Sequence, residues 1–252
     1  MTYMDKAETG TMFCEHGMLR TRCKKCNPEL AQRRGRAPAP SVLQSDRNLA
    51  FKCNWMDTDY EGPCTHEGRR YNIFVARRIW CTQPENPCYQ LEQGIIDELP
   101  EFTCYEACIF SRLEFGAGVD RTGVNSGRGR IIRYITPGKL ALFTTREPPM
   151  SEDEREIFGF FIIKGDYIDE DGATRVVGEE GTALKIPKEC RLRFWDFYST
   201  SSGVIFWGTG LYRYLTDEQV ISYLTTQIDE LKKDGYEDEA LLAERVLERI
   251  RQ

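Results

Sequence analysis

Residues 138–145 read GKLALFTT and residues 157–163 read IFGFFII, two short apolar, aromatic-rich runs bounded by Pro137-Gly138, Pro148-Pro149 and Gly165-Asp166. Branched and aromatic side chains between turn residues predict buried strands, because they pack well on a pleated surface while glycine and proline interrupt it. Residues 151–156 form the polar connection between them. Working outward, residues 175–177, 184–186 and 192–198 read as further short strands separated by glycine turns. Strands of this length and spacing predict a small barrel or a strongly curved sheet. Downstream, Thr216-Asp-Glu-Gln219 is a capping-box pattern that opens a helix whose apolar positions Val220, Ile221, Leu224, Ile228 and Leu231 follow the 3.6-residue repeat. Gly235 ends it, and Leu241, Leu242, Val246 and Ile250 mark a second amphipathic helix. The expected fold class is α+β, a small β-barrel with C-terminal helices.

The chain holds ten cysteines and two histidines, and both histidines sit two residues after a cysteine, in Cys14-Glu15-His16 and Cys64-Thr65-His66. Cys14, His16, Cys23 and Cys26 spell C-x-H-x6-C-x2-C, four borderline or soft ligands within thirteen positions, as a tetrahedral Cys3His zinc site requires. This predicts a structural zinc module at the N-terminus. A second cysteine-rich stretch follows, and Cys53, Cys64, Cys81 and Cys88 are its first-choice ligand set, with His66 as a substitute for Cys64. One zinc ion is expected, with room for a second. Cys104 and Cys108 read as core, since cysteine is often a small buried hydrophobe, and Cys190 as packing. Without an export signal, reduced metal-bound thiols are favoured over disulfides.

The boundaries read as a zinc knuckle at 1–30, a linker at 31–50 that carries QRRGRAPAP, and a zinc-stabilised cysteine-rich segment of the main domain at 51–108. The barrel is expected at 109–230 and the final helix at 231–252. The formal net charge of -6 conceals an asymmetry. Residues 1–150 hold 21 Lys and Arg against 18 Asp and Glu, a net of +3, and residues 151–252 hold 13 against 22, a net of -9. Local patches decide whether a phosphate backbone is attracted, because screening limits reach to roughly 10 Å. Arg121, Arg128, Arg130, Arg133 and Lys139 fall in such a stretch, interleaved with glycines. No run of about eighteen apolar residues and no N-terminal hydrophobic segment occurs. The expectation is a cytoplasmic protein with no membrane partner.

The glycine and arginine loop of residues 115–130 (FGAGVDRTGVNSGRGR), then residues 134–143 (YITPGKLALF), then residues 157–163 resemble, in that order, the PUA-like superfamily, nearest to its EVE and YTH domains. The resemblance covers residues 109 to about 228. It implies a PUA-like barrel that recognises a modified or flipped base, with a basic rim on the backbone and an aromatic pocket around the base. On this reading Arg121, Arg128, Arg130, Arg133 and Lys139 meet phosphates, while Trp195 and Trp207 provide the stacking surface, worth roughly 1–3 kcal/mol per base. Nucleic acid is the expected partner, DNA or RNA, with an effector protein as a further one.

No G-x-S-x-G, P-loop, dinucleotide-binding fingerprint or H-E-x-x-H occurs, and no deaminase His-x-Glu with P-C-x-x-C. With two histidines, both read as ligands or ligand substitutes, imidazole acid–base chemistry has no candidate, and no catalytic residue is assigned. Two alternatives stand beside recognition. One is a zinc-stabilised protein–protein adaptor, and the other is a metal-dependent nuclease using Asp166, Asp169, Glu170 and Asp171.

Overall fold

The structure is a computed structural model that describes residues 25–26, 47–120, 125–199, 205–208 and 210–252. The chain divides into two compact units, residues 1–41 and 42–252. Of the first, only Lys25 and Cys26 are described, in a turn. The expected zinc ligands Cys14, His16 and Cys23 therefore lie outside the described residues.

The second unit is a mixed α and β fold around a seven-stranded sheet. Its strands are β1 (Asn48–Lys52), β2 (Glu114–Gly116), β3 (Leu140–Thr145), β4 (Glu156–Ile168), β5 (Thr174–Gly178), β6 (Leu184–Lys185) and β7 (Tyr212–Leu215). Their order is β2-β5-β4-β3-β1-β7, with β6 added to β4. Every pairing is antiparallel except β1 with β3, which align Leu49 with Ala141 and Phe51 with Phe143. β1 starts three residues inside the stretch read as linker.

The sheet is open: no ladder joins β2 to β7, so the expected barrel does not close. The reason is visible in the packing. Side chains alternate across the sheet, so each central strand sends residues to both faces, and here each face has its own cover. On one face Ala50, Leu140, Leu142, Phe160 and Ile162 pack against α4 (Asp217–Lys233) and α5 (Glu237–Ile250). On the other, Leu49, Phe51, Phe143, Phe158 and Phe161 pack against α3 (Tyr105–Arg112), Met56, Tyr60 and Ile132. Two covered faces bury β3 completely, with no closed interior.

One irregularity sets which β4 residue meets which face. Pairing slips between Phe143 and Thr144, which face Gly159 and Ile157, so Phe158 is skipped. A Cβ at Gly159 would run into the Phe110 ring and the Leu184 carbonyl oxygen, so glycine lets β6 and α3 close over the bulge.

The expected strand at 192–198 is absent. Phe194–Asp196 forms a 3-10 turn tied to β4 by a single bridge, Glu156 to Arg193. The capping box forms as read: the Gln219 backbone N–H donates to Thr216 Oγ1 at 3.3 Å, and the Thr216 N–H donates to Gln219 Oε1 at 3.0 Å.

Candidate functional site

Between β1 and α3 the chain makes an excursion containing α1 (His66–Arg70), a π turn (Tyr71–Val75) and α2 (Pro87–Glu92). Polar caps shape it. Asp57 Oδ1 accepts from the Thr65 N–H at 3.0 Å and Oδ2 from the Gly68 N–H at 3.1 Å, which fixes the chain on both sides of Thr65 and its neighbour Cys64. Asn86 Oδ1 accepts from the N–H groups of Cys88 and Tyr89 at 2.7 and 3.2 Å, and Pro87 supplies a preset φ at the first helical position. Cys104 is the N-cap residue of α3.

These constraints bring Cys64, Cys81, Cys88 and Cys104 to the lining of one small cavity of about 20 Å³. Asn72 Nδ2 donates to Cys64 Sγ at 3.6 Å and to the Trp55 carbonyl at 3.1 Å. Arg69 donates from Nη1 to the Cys64 carbonyl and from Nε to Glu92, both at 3.1 Å. Burial pushes all four thiols up, Cys64 to about 12 and Cys88 to about 11, and the proximity of other cavity thiols adds to the rise at Cys64, Cys81 and Cys104. Among the described residues, no three Cys, His, Asp or Glu side chains already surround a common point as metal ligands.

Cys53, chosen from the sequence as a ligand, is not on this cavity. It lies in the core of the sheet, its N–H donating to the Thr144 carbonyl at 2.9 Å. Cys104, read as core, packs against that core and also lies on the cavity lining. His66 lies beside Glu92, with Nε2 3.6 Å from Oε2, and is not on the cavity lining. Cys108 and Cys190 are buried in the two cores, as read. Cys26 is exposed.

A second cavity, of about 210 Å³, opens past the ends of β1 and β3 and is far more polar. Trp55 and Tyr60 contribute its aromatic wall; Asp57, Asp59, Thr145, Glu147, Glu156, Lys188 and Arg191 contribute donors and acceptors. Most of the charges are paired. Arg191 binds Asp59, and Lys188 binds Glu147 at 2.6 Å. Two groups are less committed. The buried Thr145 hydroxyl makes no hydrogen bond of good geometry, though the Tyr60 hydroxyl lies beside it, and burial pushes the Glu156 carboxyl above the usual range despite nearby cations. Sequence reasoning missed this cavity because its lining comes from three distant stretches. The only local signal was an aromatic residue just past a strand, Trp55.

The residues expected to meet nucleic acid are not gathered in one place. Arg121 lies outside the described residues. Arg128 and Arg133 are exposed, whereas Arg130 is paired with Asp120 at 2.6 Å and Lys139 with Asp217 at 2.6 Å. The loop reaches the α3 side of the sheet through Ile132, and the Arg133 N–H donates to the Tyr212 hydroxyl at 3.4 Å. Trp195 and Trp207 lie on the opposite face, under the C-terminal helices. Trp207 is only 3% exposed, its Nε1 donates to the Gly210 carbonyl at 2.9 Å, and the Arg155 and Arg213 guanidiniums lie over its ring. Trp195 Nε1 donates to the Glu152 carbonyl at 2.6 Å. Trp207 is spent on packing, whereas Trp195 keeps partial exposure, and both lie on the sheet face opposite the one the arginine loop reaches. Of the acidic turn of the nuclease reading, Asp169 is occupied internally, accepting from the Ala173 N–H at 2.8 Å and from Arg175 at 2.7 Å, while Asp166, Glu170 and Asp171 are exposed.

Among the described residues no helix is long and apolar enough to cross a membrane. Comparison of the chain with protein-family models, curated proteins and solved structures gives no match.

Proposed function

We propose that this chain is a zinc-binding, cytoplasmic nucleic-acid recognition protein, and that the 210 Å³ cavity between Trp55, Thr145 and Glu156 takes a single unpaired or flipped base. The observation that carries the reading is the composition of that cavity. A half-exposed indole offers a stacking face, and the Thr145 hydroxyl and the Glu156 carboxyl offer hydrogen-bonding groups for a base edge. Trp55 thereby replaces Trp195 and Trp207 as the stacking residue. Arg128 and Arg133, the exposed arginines of the loop, are the candidates for phosphate contact.

The test is binding of the full chain to single- and double-stranded DNA and RNA oligonucleotides, with and without modified bases, across a salt series. Trp55→Ala should lower affinity for the preferred oligonucleotide by about 5- to 150-fold, the equivalent of 1–3 kcal/mol of stacking. Arg133→Ala should weaken binding to all sequences evenly and flatten the salt slope by about one. Failure to bind any of the four polyanions at low salt rules the reading out. The adaptor alternative then gains weight, because Phe74, Val75, Ile79 and Ile95 are exposed on the cysteine-rich excursion, where a protein partner would find apolar anchors.

A further inference from the structure

The excursion between Glu61 and Glu101 contributes no buried member to either apolar core. Four of its large apolar residues, Phe74, Val75, Ile79 and Ile95, are 45–69% exposed, while Ile73, beside the cysteines on the small cavity, is buried. Its regular structure amounts to helices of five and six residues and one π turn. Helices that short do not persist by themselves in water, and ordering each residue costs roughly 1–2 kcal/mol of backbone entropy. Apolar burial is not what fixes this segment. What converges inside it is sulfur.

We propose that Cys64, Cys81, Cys88 and Cys104 bind one zinc ion as a structural tetrahedral site, with Cys104 and not Cys53 completing the set. Three of these residues come from the excursion, and the fourth caps α3, which is anchored to the sheet through Ala107, Cys108 and Ile109. One ion would therefore tie the excursion to the sheet's own scaffold. All four line the same cavity, which is too small for an organic ligand and suited to a single ion. The polar groups around the sulfurs match what a metal thiolate needs from its surroundings. Asn72 already donates to Cys64 Sγ, and Arg69 donates to the Cys64 carbonyl at 3.1 Å. Zn–S bonds of about 2.3 Å require the sulfurs to draw inward from their present positions. That adjustment falls on loop and helix-start side chains, not on the sheet. Cys53 is in the core of the sheet and is not on this cavity's lining. The inference does not rest on base recognition, and either reading can fail without the other.

Per-cysteine alkylation of the zinc-loaded full chain with N-ethylmaleimide, with and without a chelator, tests it on the unsubstituted protein. Chelation should raise the rates at Cys64, Cys81, Cys88 and Cys104 together by at least tenfold, while Cys53, Cys108 and Cys190 stay slow. Entry of Cys53 into the responsive group in place of Cys104, indifference of all four to the chelator, or their recovery as disulfides would each overturn the assignment. A second measurement separates this site from the N-terminal cluster. In a chain carrying Cys14→Ser, Cys23→Ser and Cys26→Ser, cobalt should still bind at one ion per chain with a tetrathiolate spectrum. Adding Cys104→Ser should abolish that spectrum, and adding Cys53→Ser should leave it. The reverse pattern, or no cobalt binding in the triple variant, also overturns the proposal.

Discussion

The sheet and the excursion beside it are stabilised by different physics. Phe51, Phe143, Phe158, Phe160 and Phe161 are fully buried in the sheet, and their rings meet neighbours at centroid distances such as 5.0 Å for Phe143 and Phe161. Residues 61–101 instead turn Phe74, Val75 and Ile79 outward and are shaped by Asp57, Asn72 and Asn86, each hydrogen-bonding to backbone. Ile73 is the one large aliphatic residue this region buries, and four cysteines share the lining of its small cavity, three from the region itself and Cys104 from the start of α3.

The sharpest way to break this contrast is to truncate one aromatic in each region. Phe158 is fully buried and stacked on Tyr60 at 3.6 Å, so Phe158→Ala should cost about 3–5 kcal/mol in denaturant unfolding. Phe74→Ala should change stability by no more than about 0.5 kcal/mol. Equal costs would mean that the excursion is a second apolar core after all. A smaller effect belongs to the cap of α4, where Thr216→Ala should cost about 1 kcal/mol, read from the same unfolding curves. The smallest concerns Glu156. Its folded carboxyl is pushed up by burial, so between its unfolded and folded pKa the folded chain holds more protons, and stability falls as pH rises through that window. Glu156→Gln should therefore give a modestly higher melting temperature at pH 7, and that gain should vanish near pH 3, where the carboxyl is protonated in both states. A gain that persists at pH 3 would show that packing, not charge, limits the site.

The features legible in the sequence were those whose signal is local. The runs around Leu140 and Ile157 became β3 and β4, and the Thr216 cap and the period of Val220, Leu224 and Leu231 placed α4. What escaped depends on contacts between distant residues. Closure could not be judged, because an open sheet with two covered faces and a barrel require the same apolar strands. The FWDFY run of residues 194–198 has the composition of a strand, yet it forms a turn whose rings cluster with Trp207. Trp207, expected as a stacking residue, is instead enclosed by the Arg155 and Arg213 guanidiniums and Phe194. Cys104 was masked by its spacing from Cys108, which reads equally well as one buried helical face. Only the cavity separates the two, with Cys104 on the lining and Cys108 in the core.

The parallel pairing of β1 with β3 bears on how the chain acquires its shape. Leu49 aligns with Ala141, 92 positions later, and its other neighbour, Tyr214 in β7, is 165 positions away. β1 is thus made early and has no strand to pair with until more than half of the chain exists. During synthesis its apolar row Leu49, Ala50 and Phe51 stays exposed, while β3 and β4 meet across a short connection. High sequence separation slows folding and prolongs contact of unpaired strand edges with other chains. Inserting β1 between β3 and β7 should therefore be the late, slow event that completes the sheet.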